Sequence, residues 1–268
     1  MVDTDVLLAD LAHEHEALDQ RVEHLDGEAW HTPTPAVGWD VADQISHLCY
    51  FDGTARVALT DPAAFEQQKT ELMQSSRNGG TPPDVALARE HPSQELLERW
   101  RRGRAALIEA IGASDPGQRV AWYGPAMSLG SFTTARIMET WAHGQDVADA
   151  LGLPPVVSDR LRHVCHIGVG ARAYSFLANE QPDPGDPIRV EVEAPGGGQW
   201  SWGPADAADV VRGPAIDLAL LLTQRRHRDD VRIDVQGPTA EAWIAVAQAF
   251  AGPPGPGRAP GLGRPANA

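Results

Sequence analysis

Three side chains in two separate stretches have the types and spacing to chelate a cation. Glu139 and His143 stand four apart in the run from Arg136 to Asp146. On a helix that spacing puts a carboxylate and an imidazole on one face, about one turn from each other. His47, deep in an earlier helical segment, is the natural third ligand where the two helices face each other in a bundle core. Two histidines and a glutamate leave coordination positions open for water or substrate, the pattern of catalytic rather than structural zinc. The same donors form the facial triad of non-haem iron, so the donor set alone does not choose the metal. Spacing alone equally describes a surface Glu–His pair that binds nothing.

The elements that must position these residues are mostly helical. Leu7, Leu8, Leu11, Leu18, Val22 and Leu25 recur at helical spacing,. Asp40 is an N-cap residue with Asp43 three positions on, which starts a second helix with Val41, Ile45 and Leu48 on its buried stripe,. Residues 61–91 read as the least regular stretch, a short helix over Phe65 to Met73 followed by a mobile loop that could serve as a lid,. Ser93 opens a third helix, Ser131 a fourth running to about Leu151, and Ser158 a fifth reaching Leu177,.

Beyond the Pro-rich segment from Gln181 to Pro187 the period changes to two at Ile188, Val190 and Val192, a half-buried strand,. Gly196 to Gly198 turn it into a second strand, Gln199 to Gly203,. A helix from Ala215 to Arg226, a strand over Val231, Ile233 and Val235, and a helix from Pro238 to Phe250 follow. The expected fold is mainly α: a helical bundle over residues 1–180, a small α+β domain over 186–252, and a disordered Gly/Pro tail over 253–268,.

Composition narrows the function. The chain of 268 residues carries 22 basic and 37 acidic side chains, a net charge of −15. That surplus repels a phosphate backbone and argues against nucleic acid. No apolar run is long enough to span a membrane, and the first residues lack a signal peptide's basic start and apolar core,. Cys49 and Cys165 are too few for a disulfide framework and neither has a dedicated base,. A cytoplasmic enzyme or small-molecule binder is expected, its oligomeric state open.

The run Trp39-Asp40-Val41-Ala42-Asp43-Gln44-Ile45-Ser46-His47-Leu48, followed by Glu139-x-x-x-His143, resembles the DinB-like metalloenzymes, in particular the mycothiol-dependent maleylpyruvate isomerases. It is closest to a metal-binding branch of that superfamily. The segments Asp217 to Arg226 and Ala247 to Gly252 resemble the small sterol-carrier-like domain that follows the bundle in those isomerases. The resemblance implies a four-helix bundle with His47, Glu139 and His143 holding a divalent metal, zinc first among the candidates. It implies a thiol co-substrate, mycothiol, that adds to an unsaturated acid and leaves after bond rotation, so isomerase or thiol-transferase chemistry on a small electrophilic acid.

The resemblance also puts a polar residue at Asp146, able to accept a hydrogen bond from a ligand imidazole. It puts an arginine near Arg225 or Arg226 facing an anionic substrate or thiol, although arginines ending a helix also simply meet its dipole. Trp39 and Trp141 flank the ligands and could wall a pocket. Arg136 and the run His13-Glu14-His15-Glu16 read as solvated neighbours. Two other readings stay open: a thiol-independent metal-dependent hydrolase, lyase or cyclase, and a non-catalytic metal- or ligand-binding protein.

Overall fold

The computed structural model describes residues 3–77, 82–252, 254–255 and 257–261. Two compact units divide the chain, Met1–Pro155 and Val156–Ala268. The first contains α1 (Thr4–Val22), α2 (Val41–Thr60), α3 (Pro62–Arg77), α4 (Pro83–Glu90), α5 (Ser93–Gly112), the two-residue strands β1 (Arg119–Val120) and β2 (Met127–Ser128), and α6 (Leu129–Ala150). The long helices α1, α2, α5 and α6 pack as a bundle, with α2 against both α5 and α6 and α1 against the same two. None of the described helices is long and apolar enough to cross a membrane.

Two apolar clusters fill the bundle. One joins Leu7, Leu11, Ala55, Phe65, Leu107, Ile111, Phe132 and Ile137. The other joins Leu18, Val22, Trp30, Ile45, Leu48, Leu97, Trp100 and Val147. Beside these clusters α1, α2 and α6 contribute the buried polar residues His15, Asp52 and Arg136. Asp52 Oδ1 accepts from Arg136 Nη2 at 2.8 Å, and its Oδ2 accepts from Trp100 Nε1 at 3.1 Å. His15 Nε2 stands 3.6 Å from the same carboxylate. Arg136 and the 13–16 run are therefore not simply solvated: Arg136, Glu14 and His15 are buried, while His13 and Glu16 stay exposed. The bundle's polar layer needs a cation opposite Asp52, and only the fold puts one there.

The start of α2 follows the capping logic of its sequence. Asp40 Oδ1 accepts from the Asp43 N–H at 2.9 Å, while Asp43 Oδ2 accepts from the Asp40 N–H at 3.1 Å,. The 61–91 stretch contains the short helix expected over Phe65 to Met73, within α3, but departs from the loop expected after it. It is two helices, α3 and α4, and only residues 78–81 lie outside the described set. Phe65 and Val85 are buried, so each helix has its own anchor in the bundle. Local loop composition gave no sign of either anchor.

The second unit holds α7 (Leu161–Gly170), α8 (Arg172–Ala178), β3 (Ile188–Glu193), β4 (Gln199–Trp202), β5 (Asp209–Pro214), α9 (Ala215–Leu222), β6 (Asp234–Gln236) and α10 (Pro238–Val246). The sheet order is β4-β3-β5-β6, with β3 and β5 parallel and the other pairs antiparallel. Val190 and Val192 of β3 and Val211 of β5 are buried. Asp209 Oδ1 accepts from the N–H groups of Thr239 and Ala240 at 2.6 and 2.8 Å, tying the start of α10 to β5,.

The division at Pro155 comes earlier than the boundary expected after residue 180. The reason is that α7 packs on α9, with Cys165 Sγ donating to Ala215 O at 3.4 Å. A Cβ at Gly168 would come within 2.6 Å of Leu222 Cδ1, so a larger residue there would have to displace the Leu222 side chain. Strand β5 had no place in the sequence reading because its apolar run is only Val210-Val211 before Gly213-Pro214. Helix α9 stops at Leu222 rather than Arg226, with Gln224 in the left-handed region at φ 59°. Of the expected tail, residues 253, 256 and 262–268 lie outside the described set, and the Gly261 N–H donates to Asp230 at 2.7 Å.

Candidate functional site

His47 lies on α2, and Glu139 and His143 lie one turn apart on α6. One donor atom from each of the three falls within 4.8 Å of the other two. His143 Nε2 and Glu139 Oε2 are 3.4 Å apart, the spacing of about 3.4 Å that two donors ~2.1 Å from one tetrahedral zinc would have. The imidazoles of His47 and His143 face each other with centroids 4.3 Å apart.

Each imidazole is held from behind through its Nδ1. His47 Nδ1 donates to Asp84 Oδ2 at 2.9 Å, and His143 Nδ1 donates to Gln44 Oε1 at 2.6 Å. An ionised carboxylate and an amide oxygen only accept, so both rings carry their proton on Nδ1 and turn a lone pair at Nε2 toward the cluster. The amide orientation is fixed in turn: Gln44 Nε2 donates to Thr34 Oγ1 at 2.9 Å, whose own hydroxyl donates to Trp39 O at 3.0 Å. Gly38, at φ 81°, makes the turn that brings Trp39 back to Thr34,. Ser46 Oγ donates to the backbone oxygen of Asp84 at 2.8 Å, docking α4 on α2 independently of the Asp84 carboxylate.

Electrostatics keep the carboxylates charged. Burial pushes Glu139 upward, but its contact with His143, the charge of Arg136 and the charges His143 and His47 carry whenever they are protonated outweigh it and bring the carboxyl down to about 2. Asp84 behaves alike: burial raises it, and the hydrogen bond from His47, with that ring's charge whenever it is protonated, pulls it below the ordinary range. The two thiols point the other way. Burial pushes Cys49 up to about 11 and Cys165 higher still, so neither is a thiolate at neutral pH,.

Rings surround the cluster on the α2 side. Trp39 stacks on His143 with centroids 6.2 Å apart and planes at 18°. Phe51, one turn along from His47, has its ring 4.6 Å from it. Trp122 and Tyr123, from the turn between β1 and β2, reach Phe51 at 6.4 and 5.7 Å.

The family model for the mycothiol maleylpyruvate isomerase N-terminal domain matches residues 11–148, which contain all three cluster residues. The chain belongs to this family, within the DinB-like superfamily. Two relatives from Mycobacterium tuberculosis, "Uncharacterized protein MT0041" of strain CDC 1551 / Oshkosh and "Uncharacterized protein Rv0036c" of strain ATCC 25618 / H37Rv, are each 45% identical over 260 residues. Those alignments cover 96% of this chain and 100% of the relatives. Crystal structures of the mycothiol-dependent maleylpyruvate isomerase and of a histidine-to-alanine mutant of it share the fold, with TM-scores of 0.57 and 0.56. Each match covers 89% of this chain and 96% of the other at 14% identity.

Within this isomerase-family bundle the remaining expected site residues are placed as follows. Trp39 is at the cluster. Trp141 is buried on α6, but two positions from both Glu139 and His143 it leaves the helix about 200° around from them,. Asp146 is buried on the same helix, while the acceptors at the two Nδ1 atoms are Asp84 and Gln44. Arg225 and Arg226 belong to the second unit, where their Nη1 atoms donate to Thr223 O at 2.8 Å and Arg225 O at 2.7 Å, in the turn that ends α9. Asp84 and Gln44 escaped the sequence reading. Gln44 left a trace, since it precedes His47 by three on one helical face. Asp84 left none, because its helix was read as loop.

Proposed function

We propose that His47, Glu139 and His143 hold a divalent cation, zinc first among the candidates, and that the chain is a thiol-dependent isomerase or transferase acting on a small electrophilic acid, with mycothiol as the thiol. The observation that carries this reading is the convergence of three donors within 4.8 Å with both imidazoles already fixed through Nδ1. The donor set suits the group: two neutral imidazole nitrogens and one carboxylate that stays ionised leave coordination positions for an exogenous ligand. When bound there, such a cation supplies Lewis acidity and lowers the pKa of a thiol that reaches it.

The chain's own residues define the rest. Asp84 and Gln44 hold the ring orientations, so the Nε2 lone pairs need no reorganisation before binding. Arg136, one turn from Glu139, adds positive charge to a site meant for an anionic partner while being neutralised behind by Asp52. Trp39 and Phe51 provide apolar walls that limit water around the cluster,. With both cysteines held as thiols, any thiolate must be supplied from outside, which favours a low-molecular-weight thiol over a cysteine nucleophile. The family's name gives mycothiol and maleylpyruvate as the first pair to try.

Elemental analysis of the purified full chain, followed by a thermal-shift and turnover screen with mycothiol, glutathione and maleylpyruvate, tests the proposal. About one equivalent of divalent metal, lost in His47→Ala, and stabilisation by mycothiol are expected. Metal absent from the wild type, or bound equally by His47→Ala, refutes the site. Metal binding without any response to thiols refutes the thiol chemistry.

A further inference from the structure

We propose that Tyr123 is a substrate-binding residue: its phenol hydroxyl donates a hydrogen bond to a carbonyl or carboxylate oxygen of a small acid held beside the His47–Glu139–His143 cluster. The inference deepens the reading of that cluster as a site for an electrophilic acid and rests on it. Its starting point is an orphaned group. Tyr123 is only partly buried as a residue, yet its hydroxyl oxygen is shielded from solvent and has no hydrogen-bond partner among the described residues. Leaving a buried donor unpaired forfeits its hydration with nothing in return, so such a hydroxyl calls for a partner, either an ordered water or a ligand oxygen.

The ring itself has no need of that hydroxyl. It packs edge-on against Phe65 at 5.7 Å, Phe51 at 5.7 Å and Trp122 at 4.9 Å. Phenylalanine would make the same ring contacts without the desolvation cost. The location then gives the hydroxyl a use. Phe51 joins Tyr123 to His47, its ring lying 4.6 Å from the imidazole. The hydroxyl is also within electrostatic reach of Asp84, which holds His47, and of Arg136, which precedes Glu139 by one turn. Charges next to two of the three cluster residues, one on α4 and one on α6, thus act on it.

The chemistry of the group selects its partner. Burial first, then the charges of Tyr50 and Asp84, push the phenol well above its ordinary range, so it keeps its proton at neutral pH. A protonated phenol with no acceptor nearby offers a donor to a ligand oxygen, and it is not a general base. Carbonyl and carboxylate oxygens of a small acid are the acceptors that fit both this donor and the neighbouring cation site. The apolar rings of Phe51 and Trp122 would face the hydrocarbon part of such a molecule,.

The test compares wild type with Tyr123→Phe as full-length chains. Zinc uptake is measured first, which tests the cluster by itself. Maleate and pyruvate, as probes bearing these oxygens, are then titrated calorimetrically with and without zinc, and the melting temperature of each ligand-free protein is recorded. The variant is expected to melt at the same temperature as wild type or higher, because no native hydrogen bond is lost. It is expected to bind at least one probe about tenfold more weakly. Equal affinities in the two proteins, a wild type that binds neither probe, or a ligand-free variant that melts several degrees lower would each overturn the proposal. Failure of zinc uptake alone would overturn the reading of the cluster, and the zinc-free titrations would still decide the role of Tyr123.

Discussion

Replacing Asp84 by Asn keeps an oxygen opposite His47 Nδ1 but removes the negative charge that the imidazole now faces. The wild-type bond is 2.9 Å long, between side chains only 17% and 13% exposed, so solvent screens it weakly. A hydrogen bond to a charged group at such a place contributes about 1.5–3 kcal/mol. Loss of an acceptor behind a metal-bound histidine costs about 10–100-fold in metal affinity, or ~1.4–2.7 kcal/mol. Asp84→Asn should fall near the lower end of that range and Asp84→Ala near the upper end. The backbone anchor from Ser46 Oγ to Asp84 O is untouched, so α4 should stay docked and circular dichroism should be unchanged. Competition for zinc against a chromophoric chelator measures the affinity, and the visible spectrum of the cobalt-substituted protein reports the ligand field. Both variants binding zinc within about threefold of wild type, with an unaltered cobalt spectrum, would refute the claim that Asp84 orients His47 as a ligand.

Two further outcomes concern the polar layer of the bundle. Burial lowers His15 from 6.5 to about 4, so the unfolded chain takes up a proton in that range while the folded protein does not. Its contribution is therefore complete above pH ~6.5 and is lost as the pH falls toward 4, by up to ~3 kcal/mol. Urea midpoints at several pH values should show this slope, and His15→Leu should flatten it; an unchanged slope in the variant would refute the assignment. Arg136→Met would strand Asp52, whose pair with Arg136 is 2.8 Å long at 4% and 0% exposure, and should cost about 3–5 kcal/mol,. The double variant with Asp52→Asn should recover part of that loss, and a single-variant loss below ~1 kcal/mol would show that Asp52 does not depend on the arginine.

Much of the local architecture was legible because its determinants are local. Asp40 and Asp43 announce the start of α2 as an N-cap residue and a first-turn acid three positions on, and the structure closes them into a reciprocal cap,. Glu139 and His143 share a face of α6 by helical geometry alone, and the alternation at Ile188, Val190 and Val192 is a strand whatever surrounds it,. The mainly α bundle followed by a small α+β unit could therefore be read from one sequence. The full length of α3 and all of α4 could not, since both are polar helices whose order comes from anchors in the bundle such as Phe65 and Val85.

What the sequence determined by itself was which residues are candidates for the chemistry: a carboxylate and an imidazole one turn apart, and a second histidine on another helix. The tertiary structure alone decided that His47 meets them, because the meeting depends on how α2 crosses α6 and on no spacing along the chain. It alone supplied Asp84 and Gln44, whose hydrogen bonds span sequence separations of 37 and 99 residues. The same packing turned Arg136 and His15 from apparent surface groups into a buried layer, since a helix's polar face is solvated only until another helix covers it,.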